Sequence, residues 1–286
     1  VDAILALAVL GAAWAVLVAI ERGSWRWLLL GAALAGVAFN VKMLEAYLVV
    51  PALGLAYLLG APRTWRQRFS HLALATVVLL AVTFLWVGIV DATPATQRPY
   101  VGSSQDNSEI SLAFGYNGLQ RLLGLFGRGS AFSGGNANAG AGFFAGETGA
   151  PGPLRLFSTA LGGQAGWLLP LVLIALLAAL WPLFAHLGRV ALAAGREGDA
   201  KGKLRGVWQE FVALRLTTAQ SAWILWGTWL ITCYAFFSVA GFFHAYYLSI
   251  MAPAIAALAG AGVVLLWRDY RAEGRSGWLL PIAVAL

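Results

Sequence analysis

Charge is scarce in this sequence: Asp, Glu, Lys and Arg together make up 11% of its 286 residues, while 60% are hydrophobic. A soluble domain carries about a quarter charged residues. The composition therefore excludes a mostly water-exposed surface and indicates a polytopic membrane protein. Cysteine is nearly absent, and Cys233 stands alone in an apolar stretch, which excludes a disulfide framework or a cysteine-based metal site within the chain. The three histidines, His71, His186 and His244, lie far apart and no HExxH occurs, so no metal site or other cofactor is expected within these residues. Whether a longer protein needs a divalent metal stays open. Strand-like alternation is missing too, which leaves helices as the spanning elements, because a backbone in hydrocarbon must satisfy its own polar groups. An initiator Met is also absent from the opening VDAILALAVL, and the end falls within a hydrophobic run, so we read the chain as an internal piece of a longer protein.

What is present is a series of apolar runs. They predict an all-α integral membrane protein, a polytopic helical bundle of about seven spans and a truncated eighth, at 3–20, 26–40, 44–60, 70–90, 167–187, 219–240, 246–267 and 277 onward. The second and third spans are short and share the corner at 40–45, which predicts a tight helical hairpin. Three regions follow: spans over 1–91, a long extracytoplasmic loop over 92–166, and spans over 167–286 with a basic segment at 188–218. Fourteen of the 19 basic residues fall on one face of this arrangement, among them Arg22, Arg63, Arg66, Arg68, Lys203 and Arg268. The positive-inside rule assigns that face to the cytoplasm. The net charge of +7 thus reflects anchoring beside spans, with the 188–218 segment read as an interfacial helix on membrane lipid. No basic patch with interleaved aromatics suggests nucleic acid.

Most of the unusual polar residues then lie on the other face. Lys42 and Glu45 sit three apart between apolar runs, and an exposed pair of this kind contributes only about 0–1 kcal/mol. A lysine at headgroup level is placed to meet a lipid phosphate, with Glu45 orienting it. The first half of the long loop carries Arg98, Asp106, Asn107, Glu109, Tyr116 and Asn117, whereas its second half is rich in Gly, Ala and Ser and has little to bury. The turn GFFHAYY adds His244, Tyr246 and Tyr247. Tyr246 and Tyr247 fit an aromatic belt as well as a sugar contact.

Four runs taken in order, FNVKMLEAYLVVPALGLAYLL, RPYVGSSQDNSEISLAFGYNGLQRLLG, PLRLFSTALGGQAGWLLP and FFHAYYLSIMAPAIAALAG, resemble the family-39 type of bacterial membrane glycosyltransferases. These are similar to protein O-mannosyltransferases and the lipid A aminoarabinose transferase, within the GT-C superfamily. The opening VDA resembles the end of an Asn-Asn-Pro-Asp-Ala motif, with Val in place of Pro. The resemblance implies transfer of a mannose-like or related sugar from a polyprenyl-phosphate donor to a glycan, lipid or protein acceptor outside the bacterial cytoplasmic membrane. It also implies that the principal catalytic carboxylate lies upstream of Val1, with Asp2 a second carboxylate lining the cavity. Lys42, Arg98 and His244 are the expected donor-phosphate ligands. Glu45, Asp106, Asn107, Glu109, Tyr116, Asn117, Tyr246 and Tyr247 are the expected sugar or acceptor contacts. Read from the residues alone, a transporter or permease and a non-catalytic scaffold remain as alternatives.

Overall fold

The computed structural model describes residues 1–102, 104, 106–113, 148–194, 216–241, 243–274 and 277–285. Every regular element among them is helical. Helix α1 (Asp2–Arg22) ends on Gly23, whose φ of 60° is left-handed; with no Cβ to clash, the chain reverses directly into α2 (Trp25–Lys42). Helix α4 (Trp65–Ala92) and helix α6 (Thr218–Val239) both begin with a capping box, Thr64 with Gln67 and Thr217 with Gln220, in which side chain and backbone satisfy each other's free N–H groups. Helix α5 spans Leu169–Ala194 and a short α8 spans Leu279–Ala285. Two helices start differently. Helix α3 (Val50–Gly60) and helix α7 (Ala252–Arg271) carry a proline in the first turn, and each follows a 3₁₀ segment, Met43–Leu48 and Ala245–Met251 respectively.

Six helices among the described residues are long and apolar enough to cross a membrane. The third predicted span is different in kind, because its α-helical part has only 11 residues. The 3₁₀ segment before it is stretched, at about 2.0 Å per residue against about 1.5 Å, so the two together reach about 28 Å, close to a hydrocarbon thickness of about 30 Å.

The expected hairpin between the second and third spans does not form as a packed pair. Helix α2 lies against α1 and α4, while α3 lies chiefly against α6, and α7 against α5 and α6. Small residues decide this. A Cβ at Gly36 would sit 2.8 Å from Val82 Cβ and 2.9 Å from the Leu79 carbonyl, so only glycine allows α2 to approach α4 this closely. Gly36→Val is therefore expected to destabilise the bundle by about 1–3 kcal/mol, whereas Gly54→Ala, whose Cβ would meet nothing within 4 Å, does not lower the thermal unfolding temperature in detergent. The core running through these contacts includes the fully buried Phe39, Tyr57, Trp229 and Phe237.

The basic segment predicted from 188 to 218 begins instead as a continuation of α5 to Ala194, and residues 195–215 lie outside the described residues. So do 114–147, which include Tyr116, Asn117 and most of the glycine-rich half of the long loop.

Candidate active site

One end of the bundle gathers the start of α1, the end of α2 with the first 3₁₀ segment, the end of α4 with the chain that follows it, and the second 3₁₀ segment. Lys42 is their meeting point. Its ammonium pairs with Asp2 Oδ1, forty residues away, and with Glu45 Oε2 at 3.0 Å. It also lies 3.7 Å from the ring centroid of Tyr247 and 5.2 Å from that of Tyr246. Helix α2 terminates at Met43 with φ 45° and ψ −132°, a region that non-glycine residues rarely adopt. The break leaves Lys42 as the last residue of α2 and Glu45 in the first turn of the 3₁₀ segment, where their side chains pair. The Lys42 and Glu45 side chains are only 15% and 8% exposed, so the weak coupling expected of a solvent-exposed pair does not describe them. Of the three N–H donors of an ammonium, Asp2 and Glu45 account for two.

Beside this cluster is a cavity of about 340 Å³. Its polar wall includes Lys42, Glu45 and Glu109; its apolar wall includes Phe39, Trp86 and Leu112. Asn40 fixes the edge of the cavity by donating to the carbonyls of Gly36 (2.9 Å) and of Val82 on α4 (3.1 Å). Tyr47 and the buried Thr83 share a hydrogen bond of 2.6 Å, which ties the first 3₁₀ segment to the same helix. His244 stacks on Tyr246 with ring centroids 5.3 Å apart and an interplanar angle of 7°, and meets Tyr247 edge-on. Tyr246 is 55% exposed, so this pair presents an aromatic surface next to Lys42.

The loop residues divide into two groups. Arg98 donates to the carbonyls of Asp91 (2.7 Å) and Thr93 (2.9 Å) and faces the Asp91 carboxylate at 3.8 Å. That carboxylate accepts the backbone N–H groups of Glu109 and Ile110. Asp106 accepts from the Ser108 N–H and the Ser111 hydroxyl, and Asn107, at φ 51°, accepts from the Val101 N–H. Arg98, Asp106 and Asn107 thus bind their own loop into a closed knot at the end of α4. Glu109, which starts the helical turn that the knot caps, is the member of this set that lines the cavity.

Arg155 was not singled out by sequence reasoning. It is 4% exposed. Its guanidinium donates to the Thr148 carbonyl (3.0 Å) and hydroxyl (2.8 Å) and to the carbonyls of Phe237 and Ala240 at the end of α6, and it lies 4.5 Å over the Phe243 ring. Burial pulls its pKa below the usual guanidinium value. The cation sits at a helix C-terminus, where unsatisfied carbonyls favour positive charge. It fixes the corner from which His244, Tyr246 and Tyr247 project. A lone arginine in the otherwise apolar LRLF was the available signal.

Residues 1–86 match the family "Dolichyl-phosphate-mannose-protein mannosyltransferase". Two proteins of Bacillus subtilis (strain 168) match along the chain. "Putative mannosyltransferase YkcB" is 34% identical over 362 aligned positions that cover 99% of this chain and 47% of the relative. "Putative mannosyltransferase YycA" is 33% identical over 354 positions, covering 100% of this chain and 48% of the relative. The chain spans about half the length of the curated relatives it matches. No solved structure matches it. With a family match over its first 86 residues and these relatives along its whole length, the chain is similar to mannosyltransferase-like membrane glycosyltransferases.

Proposed function

We propose that this end of the bundle binds a polyprenyl-phosphate-linked sugar, mannose or a close relative, and that the full-length protein transfers the sugar to an acceptor at the extracytoplasmic face of the cytoplasmic membrane. The observation that carries this reading is the two-sided cavity, with an ammonium and carboxylates on one wall and Phe39, Trp86 and Leu112 on the other. Such a cavity suits a ligand with a charged head on an apolar tail. The third N–H of Lys42 is assigned to the donor phosphate, where it stabilises charge as the leaving group departs. His244, adjacent to Lys42 through the two tyrosines, is a second phosphate ligand. The exposed ring of Tyr246 offers a face to the sugar, and Glu109 accepts from a sugar or acceptor hydroxyl. Asp2 and Glu45 hold the lysine. The carboxylate that activates the acceptor is assigned, from the family resemblance, to the longer protein. Arg98, knotted into its own loop, is assigned to holding that loop in place of a direct phosphate contact.

The sidedness rests on the opposite end of the bundle, where Arg63 donates to the Gly23 carbonyl and Arg68 to the Leu58 carbonyl. Positive charge concentrated there favours a cytoplasmic placement. Two measurements test the proposal. The full-length protein in proteoliposomes is expected to transfer radiolabelled mannose from polyprenyl-phosphate mannose, and inactivity with every polyprenyl-phosphate sugar in a panel sinks the reading. An impermeant maleimide is expected to label Gly102→Cys from outside intact cells and Arg66→Cys only after permeabilisation; the reverse pattern inverts the sidedness.

A further inference from the structure

The two 3₁₀ segments that face each other across Lys42 are both held by one stripe of α6. Thr232 Oγ1 donates to the Leu48 carbonyl at 2.7 Å, the shortest of its three carbonyl contacts, and so grips the end of the first segment. One turn earlier, the fully buried Trp229 donates from Nε1 to the Ile250 carbonyl at 2.9 Å and grips the end of the second. Residues 229 and 232 are three apart, so they lie on one face of the helix. Neither lines the cavity. Each gripped carbonyl lies near the junction of a 3₁₀ segment and a proline-started helix, where the chain changes from three to 3.6 residues per turn and carbonyls lose regular intrahelical partners. A shift at either junction moves the residues at the other end of its segment, Lys42 and Glu45 on one side and His244, Tyr246 and Tyr247 on the other. The strained Met43 backbone needs such external restraint to persist.

We propose that Trp229 and Thr232 are positioning residues that set the gap between the two 3₁₀ segments and thereby the affinity of the site for the donor phosphate. The inference rests on reading the cavity as the donor site. Neither side chain touches substrate; both act through the backbone they hold. Loss of one such hydrogen bond is worth about three- to tenfold in an equilibrium constant.

The test uses the full-length protein in nanodiscs with spin labels at Leu44→Cys and Ser249→Cys, Cys233 being buried and free of disulfides. The parent protein is expected to show one narrow inter-label distance. Thr232→Val and Trp229→Phe broaden it, and Thr232→Ser, which keeps the hydroxyl, restores it. In parallel, KM for polyprenyl-phosphate mannose rises about three- to tenfold in the Val and Phe variants while kcat changes less, and returns with Thr232→Ser. A KM that does not move in either variant overturns the proposal, and so does a distance distribution that stays narrow in both. If the parent protein itself uses another polyprenyl-phosphate sugar of the panel, KM is read with that donor; if it uses none of the panel, the functional reading fails and the affinity claim with it. The distances then decide the positioning claim alone.

Discussion

Replacing Lys42 by methionine is expected to lower sugar transfer by the full-length protein about a hundredfold or more, the scale seen when a single group that stabilises developing negative charge is deleted. Arg66→Met, an exposed residue at the opposite end of the bundle, should leave transfer unchanged. The physical difference is where each charge sits. The Lys42 side chain is only 15% exposed, enclosed by Asp2, Glu45 and the ring of Tyr247, so its field is little screened at the cavity wall. The same enclosure gives the variant a second effect, because two carboxylates are left side by side without the ammonium between them. Removing one partner of a buried charge pair costs about 3–5 kcal/mol. A companion variant separates the effects: Lys42→Met with Glu45→Gln removes one of the two carboxylates, so the thermal transition should recover while transfer stays low. Recovery of transfer along with stability would mean that Lys42 only holds the fold.

Arg155→Met is expected to destabilise the protein by on the order of 3–5 kcal/mol, since several buried acceptors lose their donor at once and each carries a desolvation cost of about 1–3 kcal/mol. Those acceptors are the Thr148 carbonyl and hydroxyl and the carbonyls of Phe237 and Ala240. Arg155→Lys should recover less than half of the loss, because an ammonium on a flexible stem cannot reach groups spread around a planar fork. Thermal unfolding in detergent measures both. A variant as stable as the parent would mean that the end of α6 finds other donors. Impaired transfer should accompany the instability, through displacement of the corner that carries His244, Tyr246 and Tyr247.

The helices were legible in composition and hydropathy because a long uncharged run has few alternatives in a bilayer. The Thr64–Gln67 and Thr217–Gln220 capping boxes are equally local, and they set the start of α4 at Trp65, ahead of the run predicted from 70, and that of α6 at Thr218, next to the run predicted from 219. Lys42 was legible for a related reason: a charge in an apolar corner needs a cause. Its link to Asp2 was not, since forty residues separate them and the pairing depends on α1 packing against α2. The first 3₁₀ segment was hidden because MLEAYL continues the apolar run, and no glycine marks the positive φ at Met43. The expected hairpin failed on a long-range preference, the close approach that Gly36 allows toward α4. Arg98, Asp106 and Asn107 looked like ligands by residue type, yet Asp and Asn in loops commonly bond their own backbone, and here they do.

The knot at the end of α4 carries one further implication. A ring of bonds that runs from Asp91 through Arg98 and Asp106 to Ser111 works as a strain relief, as on a cable where it enters a housing. It holds Glu109 at the cavity wall through bonds made wholly within residues 91–111. The register of Glu109 at the cavity is thereby set by bonds local to this one segment.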